Sequence, residues 1–566
     1  MQESGETCRN FCQDGRFGYK DLSRSGYERV PHPEHDRTAR DRATTAPDRS
    51  APGCDRPVAT ACDQSFAPLL QALLRYAAEN TVRLHMPGHK GRAPASGAFG
   101  DDLDDLEHLV GEKVFLADVT ELPGLDDLHA AEGPIKEAQR LAALAYGADA
   151  SFFLVNGSTC GIHAMIMASC GAGDEIIVPR DAHRAVVGGL VLSGARPVYV
   201  ASEVDELFGV PLGPTPESLK SALEAHPHAR AVMLTNPNYY GVAPEIKTLV
   251  AMAHDYGKIA LVDEAHGAHL PFHEDLPPSA LEAGADAVVS GAHKGLPAMT
   301  QASLLHLKGS RIDREAISRA LRLIETTSPS YVLMASIDAA RRIAATRGRE
   351  LLDRVIRLAG EAREKLDRSP GVRCLHERDL APRGFRHDPT KLLISLSGLG
   401  MTGFEAAGIL RREHGVQVEL ADDGNVLAIL TIMDSEDDVM ALVSAVEAIA
   451  RDRRGRGGEV GPESRREAAA GLSFALRNAP HLKMTPREAA FSPVDWVDLD
   501  AAAGRVASDA VVPYPPGIPL VCPGEEITPA IVEFACRALS SGVGLQGVSG
   551  GRVPVVARRL KTFGPV

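Results

Sequence analysis

Hydrophobic residues between Glu132 and about Leu307 follow two alternating rhythms. Segments with an apolar residue every three or four positions read as amphipathic helices. Short, nearly continuous apolar runs read as strands covered on both faces. The runs are Phe152–Val155, Ile176–Pro179, Pro197–Val200, Ala231–Thr235, Ile259–Asp263, Ala287–Ser290 and Ser303–Leu307. Helical segments such as Glu132–Tyr146, closed by Gly147, and Glu245–Tyr256 separate them. This alternation predicts an α/β layered domain with a seven-stranded, mostly parallel sheet. Ligands of such sheets bind beyond the carboxyl ends of the strands.

On either side the rhythm changes. Order is expected to begin at Phe66, where Pro68-Leu-Leu-Gln-Ala-Leu-Leu-Arg-Tyr76 reads as an amphipathic helix. A long helical stretch from Ser328 to about Arg368 leads into a smaller α+β unit. That unit has strands near Lys391–Leu396 and Asn425–Thr431 and a helix from Ser435. Residues 1–65 carry almost no apolar periodicity and are expected to be a disordered tail, since they bury too little surface to offset ordering entropy. The predicted division is that tail, an N-terminal segment 66–130, a large domain 131–327, connecting helices 328–369, a small α+β domain 370–451, a linker 452–466 and a C-terminal α+β domain 467–566.

Length and composition narrow the function. A chain of 566 residues exceeds what one core supports, and 44% hydrophobic with 24% charged content is ordinary for a soluble protein. A net charge of −14 argues against nucleic acid as a partner. No apolar run approaches the roughly 18 residues of a membrane helix, so no membrane partner is expected. Met1 to Asn10 are polar, and a cytoplasmic location is expected. The nine cysteines read as free thiols. Cys8, Cys12, Cys54 and Cys62 crowd the tail at spacings that fit no zinc pattern, so no metal is expected.

Two of the apolar runs end in chemistry. One delivers Asp263-Glu-Ala-His266, the next Ser290-Gly-Ala-His-Lys294. An acid and an amine at the ends of successive strands are what a pyridoxal 5'-phosphate (PLP) site requires: the lysine forms a Schiff base with the cofactor aldehyde, and the aspartate keeps the pyridine nitrogen protonated. Read singly, Lys294 is a solvated loop lysine and Asp263 a helix cap. Phe152-Phe-Leu-Val-Asn-Gly-Ser-Thr159 adds a strand and a small-residue turn before a helix predicted to begin near Thr159. Its free N–H groups, with the Ser158 and Thr159 hydroxyls, suit a phosphate. His183, in Arg180-Asp-Ala-His, follows the next strand, where a flat ring stacks on a cofactor face. On the opposite face Ala265 is small enough to let the ring approach. His266 and His269 lack further ligands for a metal pair; His266 is expected to take part in proton transfer.

These residues resemble the bacterial ornithine/lysine/arginine decarboxylases, PLP enzymes of the aspartate-aminotransferase fold (fold type I). The likeness includes His85-Met-Pro-Gly-His-Lys, Asp118-Val-Thr-Glu-Leu-Pro-Gly-Leu-Asp-Asp-Leu, Thr326-Thr-Ser-Pro-Ser-Tyr, Tyr514-Pro-Pro-Gly-Ile-Pro and Pro523-Gly-Glu. It spans about residue 66 to about 552 and matches the shorter form, typified by the biosynthetic arginine decarboxylase of Gram-positive bacteria. It implies Lys294 as the Schiff-base lysine, Asp263 as the pyridinium partner and His183 as the stacking residue. Ser158, Thr159, Ser290 and His293 would lie near the phosphate. Thr326, Thr327 and Ser328 would reach a neighbouring subunit's site, implying a homodimer, and Glu525 would lie near the substrate's distal cation. The chain departs from the family in having Asp181 where asparagine is common, which puts a side-chain contact there in doubt. The expected reaction is α-decarboxylation of a basic amino acid, arginine first, then lysine or ornithine. An aminotransferase or lyase, with Arg383 or Arg386 clamping a carboxylate, and a catalytically silent homologue stay open.

Overall fold

The computed structural model describes residues 63–79, 81–92, 101–453, 476, 479–513, 517–540 and 544–558. Most of the tail expected at 1–65, with Cys8, Cys12, Cys54 and Cys62, lies outside the described residues, as does most of the linker expected at 452–466.

Helix α1 (Pro68–Ala78) begins on a proline, whose missing N–H costs nothing in a first turn. Helix α2 (Pro134–Tyr146) does the same and ends on Gly147 in the left-handed conformation. The large domain then alternates β1 (Ala150–Leu154), α3 (Gly157–Ser169), β2 (Glu175–Pro179), α4 (Arg184–Ser193), β3 (Arg196–Val200), α5 (Pro216–Ala225), β4 (Ala231–Thr235), α6 (Ile246–Asp255), β5 (Ile259–Glu264), β6 (Ala287–Ser290) and β7 (Ser303–Leu307). The seven strands form one sheet in the order β1-β7-β6-β5-β4-β2-β3, parallel except for β7.

Every strand predicted from an apolar run is in this sheet, and the packing gives the reason. Ile177, Val232, Leu234, Val262 and Val288 face one core, while Ile176, Val178, Met233, Leu261 and Val289 face another. With both faces covered, neither set of alternating residues has reason to be polar. Helices α4 and α5 were not predicted: α4 carries paired glycines, and α5 rests on a capping box at Thr215 and Ser218.

Helix α7 (Tyr331–Asp367) starts later than the predicted Ser328, because Ser330 caps it and Pro329 precedes the cap. It crosses to a four-stranded antiparallel sheet in the order β8-β9-β11-β10, made of β8 (Arg373–Cys374), β9 (Lys391–Ser395), β10 (Leu420–Ala421) and β11 (Asn425–Ile429). Helices α8 (Gly403–His414) and α9 (Glu436–Asp452) cover it. The C-terminal region pairs β12 (Val494–Asp498) with β13 (Arg552–Val556) around its own small core. Among the described residues no helix is long and apolar enough to cross a membrane.

Sheet register places the chemistry. Asp263 pairs with Thr235 on one side and Val289 on the other, and Glu264 pairs with Ser290. Three adjacent parallel strands therefore end level, at the edge where the sequence places its acid and its amine.

Candidate active site

A cavity of 370 Å³ opens at this edge. Its wall includes Ser158, Thr159, His183, Asp263, Ala265, His266, His293 and Lys294, so sequence-predicted residues from four separate segments meet there. The lysine arrives on one short helical turn, Ala292–Gly295, directly after β6. Gly291 makes this possible: a Cβ there would stand 2.5 Å from the Ala265 carbonyl oxygen, so the lysine turn can close on β5 only with glycine at that position.

Lys294 Nζ lies 3.0 Å from His266 Nε2. Burial drives the lysine below its usual range, with Asp263 and Glu419 opposing. Burial, reinforced by Lys294, drives His266 well below its own range, so the imidazole is neutral and Nε2 accepts from the amine. The Tyr239 ring lies 4.5 Å from that of His266, centre to centre. The buried Asp263 carboxylate accepts from the Ala265 N–H at 3.0 Å. His183 is the N-cap of α4, where its Nδ1 accepts from the Ala185 N–H at 3.2 Å. Burial pushes its pKa down while Asp263 pulls it up.

Helix α3 begins at Gly157, two residues before the predicted start, with φ of +75°. Its first-turn N–H groups stand at the cavity, Ser158 Oγ meets Ser303 Oγ at 3.0 Å, and Thr159 is exposed. Ser290 is not among the wall residues; its buried Oγ has no hydrogen-bond partner. His293 Nδ1 donates to the Ala302 carbonyl at 2.8 Å.

The wall also includes Asp181, and with it Thr235, Asn238, Tyr239, Tyr240 and Ile518, which the sequence reading does not single out. The Asn236-Pro-Asn-Tyr-Tyr-Gly turn after β4 was the available signal, since loops at strand carboxyl ends carry ligand contacts. Asp181, the departure from the family pattern, accepts from Ser202 Oγ at 2.5 Å. Thr326, Thr327 and Ser328 are not on the cavity wall; Thr327 and Ser328 are exposed. Glu525 is not on the cavity wall: it is fully buried, its two oxygens held by Arg180 at 2.9 and 3.0 Å, with Oε2 also accepting from the Cys522 N–H at 2.7 Å. Arg383 and Arg386 are also committed elsewhere, to Glu203 and Glu377, and neither lines the cavity.

The sequence profile of the Orn/Lys/Arg decarboxylase major domain matches residues 67–438, and that of the C-terminal domain matches 471–540. The chain belongs to the Orn/Lys/Arg decarboxylase family. Within that family it is 38% identical to the arginine decarboxylase of Bacillus subtilis (strain 168), over 86% of this chain and 96% of that one. Against lysine decarboxylase LdcA of Pseudomonas aeruginosa the identity is 26%, over 82% and 74%. The lysine decarboxylase LdcF of Francisella novicida superimposes with a TM-score of 0.74 at 19% identity, covering 87% of this chain and 81% of that one, which shows the shared fold type I architecture. The cavity fits the PLP that the family resemblance implies. It offers an amine, a carboxylate, a flat imidazole and a helix N-terminus.

Proposed function

We propose that this protein is a PLP-dependent decarboxylase that removes the α-carboxylate of arginine. The observation that carries the reading is that Lys294 and Asp263, from successive strands, line one cavity together with His183 and the α3 N-terminus. Bound PLP supplies an aldehyde for the substrate amine and a ring that takes up the electron pair left when carbon dioxide departs.

The chain's own residues do the rest. The Asp263 carboxylate holds a proton on the pyridine nitrogen. The α3 N–H groups, Ser158, Thr159, Ser290 and His293 hold the phosphate, where the helix dipole favours an anion. His183 covers one ring face, and Ala265 leaves room on the other. Lys294, whose pKa burial lowers, would anchor the cofactor and, once the substrate amine takes its place, would carry a proton from that substrate ammonium to Cα, where it replaces the departing carbon dioxide. Neutral His266, in contact with its amine, accepts and returns that proton. Tyr239, Tyr240, Pro237 and Ile518 give the cavity an apolar wall that limits water.

Arginine is favoured because the arginine decarboxylases share 36–38% identity with this chain and the lysine decarboxylases 25–26%. We further read the protein as a cytoplasmic homodimer. Val82, Leu84, Met86 and Leu109 are 70%, 88%, 66% and 81% exposed, apolar side chains of the kind a second copy would cover, and Thr327 and Ser328 are exposed as well. Incubation with arginine, lysine and ornithine, with carbon dioxide and amine products followed by mass spectrometry, tests the reading. Agmatine with loss of carbon dioxide is expected; a keto acid product would instead make it an aminotransferase.

A further inference from the structure

The C-terminal region grips the loop that carries His183 at several points. At the start of the loop, the buried Arg180 guanidinium donates from Nη1 to Glu525 Oε1 at 2.9 Å and from Nη2 to Glu525 Oε2 at 3.0 Å. Nη2 also donates to the Leu520 carbonyl at 2.8 Å, and the Tyr199 ring lies 4.8 Å from the guanidinium carbon. At the end of the loop, the Arg184 N–H donates to the Gly517 carbonyl at 3.2 Å, and its guanidinium bonds Gln546. Further along α4, Arg487 donates to the Val191 and Leu192 carbonyls at 3.2 and 2.9 Å. His183 stands between the first two grips, and Ile518, beside Gly517, is on the cavity wall.

An ion pair with side-chain exposures of 1% and 0% is a poor source of stability, because desolvation offsets most of the attraction. What a forked, bidentate pair supplies is direction: two parallel bonds fix orientation as well as distance. The Arg180 backbone N–H is itself held by the Val200 carbonyl at 2.9 Å, so the loop starts from a rigid strand. We propose that Glu525, acting through Arg180, is a positioning residue that sets where His183 stands over the cofactor ring, and is not a ligand of the substrate cation. The inference rests on the reading of His183 as the stacking residue.

Hydrogen–deuterium exchange on the full chain without PLP tests the grip directly, and PLP titration tests its consequence. In Glu525→Gln the Arg180 charge loses its partner. Amide exchange at Arg184 and Ala185 should accelerate at least about tenfold, while strands β9 and β11 of the small domain keep wild-type rates. PLP should bind about tenfold more weakly, and the KM for arginine at saturating PLP should stay within about twofold. Arg180→Lys keeps the charge but cannot bond both carboxylate oxygens and Leu520 at once, and should show the same pattern in weaker form. It also decides the matter should Glu525→Gln fail to fold. Wild-type exchange at Arg184 and Ala185, acceleration spread evenly over the chain, or a raised KM with unchanged PLP affinity overturns the proposal. A wild-type chain that bound no PLP would sink the proposed function but leave the exchange measurement to judge the grip.

Discussion

Lys294 and His266 touch at 3.0 Å although 28 positions separate them in the chain. Both are driven toward their neutral forms by burial, and each charge would repel the other. The pair thus sets a lysine whose hold on its proton is weakened against a neutral imidazole, an arrangement suited to passing a proton between them. His266→Gln keeps a polar group near the amine but removes the base. We expect kcat to fall roughly 10²- to 10⁴-fold, with cofactor retention little changed. Loss of PLP from the variant, read by absorbance after gel filtration, would show a holding role instead.

Lys294→Ala should lower kcat at least about a thousandfold, because anchoring and proton transfer are lost together. In the wild type, borohydride reduction followed by peptide mapping should place the cofactor label on Lys294. A label on any other lysine refutes the assignment.

Asp263→Asn keeps the shape and the bond from the Ala265 N–H but removes the charge that would hold a proton on the ring nitrogen. The expected loss in kcat is roughly 10²- to 10³-fold, with substrate KM little affected. Activity within a factor of about two of wild type would would leave the carboxylate without its electrostatic role.

Two buried histidines oppose folding in acid. Burial pushes His306 and His387 down to about 3 from 6.5, so the folded state keeps them neutral where the unfolded chain takes up protons. Stability therefore falls as pH drops below about 6.5, by up to about 1.4 kcal/mol per pH unit for each histidine, until the folded pKa is reached. Between pH 7 and pH 4 the Tm of a His387→Asn variant should therefore rise relative to wild type. A difference that stays constant over that range would contradict this account.

Glu264 works in the opposite direction. Burial raises it to about 8 from 4.5, and its Oε2 has no hydrogen-bond partner. The folded state holds a proton that the unfolded chain releases, so stability attributable to this residue is lost as pH rises from about 4.5 to 8. Glu264→Gln removes that loss, and the Tm difference from wild type should widen in favour of glutamine across this window. An equal difference at pH 5 and pH 8 would mean that the carboxyl does not titrate there.

Much of this arrangement is legible in one dimension. The seven sheet strands can be read because a strand buried on both faces has to be apolar at nearly every position. Asp263 and Lys294 stand out because each follows such a run, and strand ends are where an α/β sheet binds ligands. Helices α4 and α5 are less legible, one diluted by Gly188 and Gly189 and the other dependent on a cap. Ile518 is on a loop with no periodicity, so nothing local marks it as a wall residue, whereas Tyr239 and Tyr240 are marked by their place in the turn after β4.

The alternation of elements, the family and the pair of residues at the strand ends are written in the chain, because periodicity and short motifs are local properties. That Lys294 meets His266, that Gly291 has to be bare, and that Glu525 is held by Arg180, 345 positions away, emerges only in the folded molecule. Contacts of that kind depend on sheet order and domain docking, which no spacing along the chain encodes.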